Sequence, residues 1–124
     1  MILTLVVGLA AAVGALARYA LDQFVRSRHD SVFPWGTFAV NVTGSLLLGI
    51  VTGLALRHGM PDTLAVVLSA GFAGGYTTWS TWVWETLALA ETGALLEASA
   101  NVVGSLAAGL LVAAAGFGVA AVLT

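Results

Sequence analysis

Four long apolar runs dominate the sequence and limit what the chain can fold into. They cover about residues 2–25, 35–56, 63–90 and 98–123, and short polar joints separate them. A helix needs about 20 apolar residues to cross the roughly 30 Å hydrocarbon core of a bilayer. Only 8% of the residues are charged, against about a quarter in a soluble domain. The sequence therefore predicts an all-α membrane protein, in which residues 1–124 form a single transmembrane domain of four helices.

The third run contains an interruption. Its central stretch, Gly71 to Trp82, holds the adjacent glycines Gly74 and Gly75, followed by hydroxyl side chains and two tryptophans. Adjacent glycines weaken a helix, and a break frees carbonyl and N–H groups that lipid does not satisfy. Broken membrane helices commonly hold an ion near the middle of the bilayer. We therefore expect the third helix to be broken and this stretch to be the working part of an ion pathway.

Uncharged polar side chains form stripes on the second and fourth runs. Thr37 and Asn41 are four residues apart, as are Asn101 and Ser105, and Gly109 continues the second stripe without a hydroxyl. Such groups offer donors without fixed charge, so they could carry an anion without trapping it. The alternative is that hydroxyls bond their own helix and asparagines join helices. We favour a functional role for both asparagines, because an amide in lipid is costly unless it is used or paired.

Aromatic and charged residues add further candidates. Trp79 and Trp82 are three residues apart and project from one helical face, where positive ring edges would attract an anion; packing or an interfacial belt is the alternative. Arg18 lies toward the end of the first run and either snorkels to the interface or draws anions inward. Glu85 is the only acid well inside a run, and it is either a proton or cation site or the partner of an arginine.

The composition argues against several function classes. The chain has no cysteine and a net charge of -2, so we expect no thiol chemistry and no nucleic-acid partner. The sequence shows no catalytic triad, metal cluster or cofactor cradle, and we therefore expect that the protein is not an enzyme.

Taken in order, the motifs resemble those of the small fluoride channels called Fluc or CrcB, the camphor-resistance proteins. The resemblance covers essentially the whole chain. It rests on Gly14-Ala-Leu-Ala-Arg18-Tyr19, Phe33-Pro-Trp-Gly-Thr37, Asn41-Val-Thr-Gly-Ser45, Gly71-Phe-Ala-Gly-Gly75 with the following Thr77 to Trp82 and Glu85, and Asn101-Val-Val-Gly-Ser105.

The resemblance implies an antiparallel dimer of four-helix subunits with two narrow pores at the interface. It implies a structural sodium ion at that interface, held by the backbone carbonyls of Gly74 and Thr77. The fluoride pathway that it implies includes Asn41, Trp79, Trp82, Asn101, Ser105 and Arg18, and we add Thr37 and Ser80 to these candidate pathway residues. The chain departs from the family pattern in having two tryptophans where two phenylalanines are usual, and in having Gly109 at a usual hydroxyl position.

Three functional interpretations remain open from the sequence. The first is passive export of fluoride through the inner (plasma) membrane by a homodimer or a heterodimer. The second is a non-conducting or half-pore partner of a similar subunit, which the tryptophans and Gly109 suggest. The third is a small proton-coupled multidrug exporter, for which Glu85 would be the exchange site. The orientation stays open, because Arg26 and Arg28 in the first joint oppose only Arg57 in the second.

Overall fold

The fold is all-helical in the computed structural model, which describes residues 1–123; Thr124, the last residue of the predicted domain, lies outside them. The elements are α1 (Ile2–Arg26), α2 (Trp35–His58), α3 (Asp62–Val66), a π-helix (Val67–Ala73), α4 (Gly74–Tyr76), α5 (Ser80–Glu91) and α6 (Leu95–Val122). By length and composition, α1, α2 and α6 are able to cross a membrane. The third predicted span, about residues 63–90, corresponds to the bent segment from α3 to α5.

The predicted interruption of the third run is confirmed, but it does not fall at the glycines. Gly74 has helical dihedral angles, and the helix continues to Tyr76 before Thr77 adopts an extended conformation with φ -77° and ψ 160°. The helix restarts at Ser80. The preceding turns, Val67–Ala73, form a π-helix, which the sequence did not predict. The chain therefore breaks at the hydroxyl-rich residues that follow the glycine pair.

The glycines serve close packing between helices. A Cβ atom on Gly75 would collide with the carbonyl oxygen of Ala11 in α1, and one on Gly49 in α2 would collide with the carbonyl oxygen of Ala113 in α6. Because no side chain separates the backbones at these points, each helix pair approaches closely, as small residues permit in membrane proteins. The bent segment packs along α1, and α2 packs along α6.

The contacts fix the direction of each helix. Gly71 lies against Val7 and Ala10, while Thr77 is bonded to Arg18, so the bent segment runs parallel to α1. Gly49 and Gly53 of α2 meet successive turns of α6 from Ala113 to Ala120, so these two helices also run in the same direction.

His58 lies in the last turn of α2. Its Nε2 atom is 2.8 Å from the carbonyl oxygen of Ala120 in α6. The next residue, Gly59, has φ 65° and ends α2 in the left-handed conformation that glycine favours. His58 therefore joins the carboxyl ends of the two parallel helices.

We expect Gly49→Ala to destabilise the protein by about 1–3 kcal/mol, because the added methyl group must push the α6 backbone away. The measurement is the unfolding midpoint of the purified protein in detergent. Gly118→Ala in α6 is the matched control, because a Cβ at Gly118 meets nothing within 4 Å. Equal midpoints for the two variants would contradict the close approach of α2 and α6.

Candidate functional site

The backbone groups freed by the break are bonded by side chains of the neighbouring helices. Asn41 in α2 donates from Nδ2 to the Thr78 carbonyl at 2.9 Å, and its Oδ1 accepts from the Thr78 N–H at 2.8 Å. Arg18 in α1 donates from a terminal guanidinium nitrogen to the Thr77 carbonyl at 3.2 Å. An unpaired buried N–H or carbonyl group is costly. Asn41 and Arg18 therefore stabilise the extended conformation that interrupts the helix.

Several carbonyls at the break have lost their helical donors, and those of Gly74 and Thr77 are among them. The Thr78 N–H, which would bond the Gly74 carbonyl in a continuous helix, goes to Asn41. The Thr81 N–H, which would bond the Thr77 carbonyl, goes instead to the Thr78 hydroxyl at 3.3 Å. Within residues 1–123 no other backbone N–H replaces either donor. Gly74 is also exposed on the surface of the chain.

An open groove of about 360 Å³ lies beside the break. Its lining includes the predicted residues Asn41, Thr77, Trp79, Trp82 and Ser105. Its remaining lining is Ser45, Leu48, Thr78, Leu106, Gly109, Leu110 and Ala113. The polar groups come from α2, from the break and, with Ser105, from α6, and most of the apolar wall comes from α6. Sequence reasoning missed this leucine and alanine wall, because apolar residues in a membrane helix give no signal of which face they occupy.

The two tryptophans in the groove have different surroundings. Their ring centroids are 4.8 Å apart, with the ring planes tilted by 53°. Trp79 is 71% exposed, whereas Trp82 is only 8% exposed. The indole N–H of Trp82 donates to the Asn101 carbonyl at 3.2 Å. The Trp82 N–H is therefore already bonded within the same chain, and Trp82 lines the groove with other atoms of its side chain.

Asn101 is fully buried and lies outside the groove lining. Its Nδ2 donates to the Thr86 hydroxyl at 2.8 Å, and its Oδ1 accepts from the Ser105 hydroxyl at 3.2 Å. Since Thr86 lies in α5 and Asn101 in α6, these bonds join the two helices. The contacts are those of the helix-joining alternative that the sequence left open, and Asn101 does not line the groove.

Three other predicted pathway residues also lie outside the groove lining. Thr37 is buried inside the helix packing at 2% exposure. Ser80 is exposed at the first position of α5. Arg18 is half-buried in α1 on the far side of the broken segment, where it contacts Thr77. The structure thus brings Asn41, both tryptophans and Ser105 together, and it separates Thr37, Ser80, Asn101 and Arg18 from them.

Glu85 pairs with an arginine, which is one of the two alternatives that the sequence left open. Its Oε1 accepts from Arg26 at 2.6 Å, and Arg26 also donates to Asp22 at 2.8 Å. The second oxygen of Glu85 is buried and has no partner among the described residues. This network ties α5 to the end of α1 beside a second cavity of about 330 Å³. A carboxylate held by an arginine is not a free exchange site, which weighs against the multidrug-exporter interpretation.

The chain is similar in sequence to a set of known membrane proteins. The family model described as CrcB-like protein, Camphor Resistance (CrcB), matches residues 5–117. The fluoride-specific ion channel FluC 1 of Streptomyces avermitilis is 53% identical over 106 residues, which are 86% of each chain. FluC 1 of Frankia casuarinae is 50% identical over 111 residues, again 86% of each chain. FluC 2 of Mycobacterium tuberculosis is 42% identical over 104 residues, which cover 84% of this chain and 79% of that protein.

We expect Asn41→Ala to destabilise the protein by at least about 2 kcal/mol, because it leaves the Thr78 N–H and carbonyl without partners. It should also speed hydrogen exchange of the Thr78 amide, measured by NMR or mass spectrometry. Thr52→Val in the same helix is the control, because the exposed Thr52 hydroxyl bonds only the Leu48 carbonyl of its own helix. Unchanged protection of the Thr78 amide in Asn41→Ala would show that Asn41 does not hold the break.

Proposed function

This chain belongs to the CrcB-like, camphor-resistance family, and we propose that it is a fluoride-selective ion channel through which fluoride leaves the cytoplasm passively. The observation that carries the proposal is the groove beside the broken helix, where uncharged donors and aromatic ring edges meet. The relatives named as fluoride-specific ion channels support the same conclusion. The apolar helices indicate a membrane protein, and we place it in the inner (plasma) membrane.

The exposed groove is the reason to propose a dimer. Trp79 lines the groove and is 71% exposed, and Gly74 of the same segment is exposed as well. A channel needs walls on all sides of the ion. We infer that two copies of the chain pack antiparallel, so that each closes the groove of the other. In this arrangement the bent segment from α3 to α5 also crosses the membrane, so that each copy has four crossings and the bent segment is the third along the chain.

Few donors in the groove remain free for an anion. The Ser45 hydroxyl donates to the Asn41 carbonyl, and the Ser105 hydroxyl donates to Asn101. Asn41 uses one N–H of its amide on Thr78, so its second N–H remains available. The Trp79 indole N–H has no partner among residues 1–123, and the ring edges of both tryptophans carry partial positive charge. A dehydrated fluoride ion would therefore depend mainly on Asn41 and the tryptophans.

The weakness of these contacts suits a channel. Uncharged donors bind an anion without holding it tightly, and conduction requires that each site also releases the ion. A membrane potential that is negative inside drives an anion outward by about 2.3 kcal/mol per charge per 100 mV. Passive flow thus suffices for export, and the sequence contains no phosphate-binding loop that would couple transport to ATP.

The residues at the break fit a structural sodium ion. The carbonyls of Gly74 and Thr77 lack helical donors, and freed carbonyls of broken membrane helices are the groups that coordinate sodium in membrane proteins. We infer that Gly74 and Thr77 of both subunits would hold it at the dimer interface. A bound sodium ion would supply a fixed positive charge that joins the two broken segments, and it is not transported.

Liposomes that contain the purified protein and potassium fluoride should release fluoride when potassium permeability is provided, with much slower release of chloride. A fluoride-selective electrode measures the efflux. The protein should be reconstituted in sodium-containing buffer, so that the proposed interface site is filled. Fluoride release no faster than from protein-free liposomes would contradict the channel function of this chain on its own.

Trp79→Ala should lower fluoride efflux about 2- to 10-fold, because the aromatic contact that it removes at this site of the pathway contributes about 0.5–1.5 kcal/mol. Trp84→Ala is the matched control: Trp84 lies in the same segment, is also 71% exposed and does not line the groove. Equal loss of efflux in both variants would indicate a general effect of tryptophan on membrane insertion, and would contradict a pathway role for Trp79.

A further inference from the structure

The Thr77 carbonyl oxygen at the break is a binding partner both for the proposed sodium ion and for the Arg18 side chain. The proposed sodium site uses the Thr77 carbonyl, and in the protomer that carbonyl accepts a hydrogen bond from the Arg18 guanidinium at 3.2 Å. The guanidinium is always protonated and carries donors only. Arg18 therefore already presents a positive charge to the oxygen that a sodium ion would bind.

The charge of Arg18 is not neutralised within the protomer. The ion pairs found among residues 1–123 involve Arg26 with Asp22 and Glu85, and none involves Arg18. The bond to Thr77 is also the only side-chain hydrogen bond found for Arg18 in those residues. A charged side chain inside an apolar segment is costly and normally pairs with an opposite charge or with carbonyl dipoles. Here the Thr77 carbonyl is the dipole that stabilises Arg18.

The same bond stabilises the carbonyl. The Thr81 N–H, the helical donor that Thr77 would have, is turned toward the Thr78 hydroxyl, so without Arg18 the Thr77 oxygen would have no partner in the protomer. In hydrocarbon an unsatisfied carbonyl is unfavourable. Arg18 thus satisfies the oxygen in the absence of both a sodium ion and a second subunit.

We propose that Arg18 is an internal competitor of the interface sodium ion: it occupies the Thr77 carbonyl in the separate protomer and weakens sodium binding in the dimer. This inference rests on the sodium site of the proposed function. When two protomers meet, sodium must displace the guanidinium or share the oxygen with it. Dimer assembly therefore depends on sodium concentration, and Arg18 sets the concentration that is needed.

The size of the effect follows from charge repulsion. A guanidinium nitrogen 3.2 Å from the shared oxygen places its charge roughly 6 Å from a cation on the other side of that oxygen, where like charges repel strongly at the low effective dielectric of a protein. Delocalisation of the guanidinium charge and screening by salt reduce the effect. We expect removal of the charge to increase the apparent sodium affinity about tenfold.

The test measures the dimer fraction of the purified full-length protein in detergent by native mass spectrometry or size exclusion, as sodium replaces potassium at constant ionic strength and without fluoride.

Arg18→Gln keeps an N–H donor and removes the charge, so the sodium concentration that gives half-maximal dimer formation should fall about tenfold. Arg18→Lys keeps the charge and should stay within about threefold of the unchanged protein. Arg57→Gln removes an equal charge at the end of α2 and should not shift the midpoint. An unchanged or higher midpoint for Arg18→Gln overturns the proposal.

A second measurement uses the unchanged protein and does not depend on the folding of any variant. The chain has only four arginines and no lysine, so the guanidinium nitrogens labelled with 15N give few NMR signals. The Arg18 signal should move as sodium is added, with the same midpoint as dimer formation, while the Arg57 signal stays in place. An Arg18 signal that does not respond to sodium overturns the competition.

The outcomes separate this inference from the proposed function. If assembly shows the expected dependence on sodium and Arg18 but liposomes release no fluoride, the channel function fails and the competition stands. If fluoride is released and assembly does not respond to sodium at all, the competition and its sodium site are both overturned while the channel function remains.

Discussion

The requirement that every backbone polar group find a partner in an apolar environment governs this structure. A continuous helix meets that requirement internally, and the bent segment does not, because the extended Thr77 ends one helix before the next begins at Ser80. Asn41 and Arg18 supply partners from two other helices for the Thr78 N–H, the Thr78 carbonyl and the Thr77 carbonyl. The break therefore depends on α1, α2 and the bent segment together. Replacing Asn41 or Arg18 by an apolar residue would leave backbone groups of the break without partners in lipid.

Close helix packing is what allows these side chains to reach the break. Gly75 lets the bent segment approach the backbone of α1 at Ala11, about two helical turns before Arg18. Gly49 does the same between α2 and α6, and so fixes the wall of the groove opposite Asn41. Van der Waals packing replaces the hydrophobic effect between membrane helices. The small residues thus contribute to the site by positioning the helices that carry its polar groups.

The polar side chains divide into those that hold the protein together and those left for an ion. Asn101, Thr86 and the Trp82 indole bond one another or the backbone and join α5 to α6. Arg26, Asp22 and Glu85 form a charged network between the end of α1 and α5. What remains on the groove surface is a small set of uncharged donors and ring edges. Under the proposed function, this division would leave a permeating ion only a few weak contacts in the groove.

Much of the fold and part of the site could be predicted from the sequence. The length of the apolar runs determined the helical class, because in lipid a helix satisfies its own backbone, and the composition of Gly71 to Trp82 indicated a break. The roles of the polar residues could not be predicted in the same way. The spacing of Asn41 and Ser45 resembles that of Asn101 and Ser105, yet Asn41 lies on the groove and Asn101 is fully buried. Their spacing describes only a position on one helix, whereas their use depends on which helix lies opposite. The π-helix, the bond from Arg18 to Thr77 and the apolar wall of the groove were likewise decided by tertiary packing, because each depends on contacts between residues far apart in the chain.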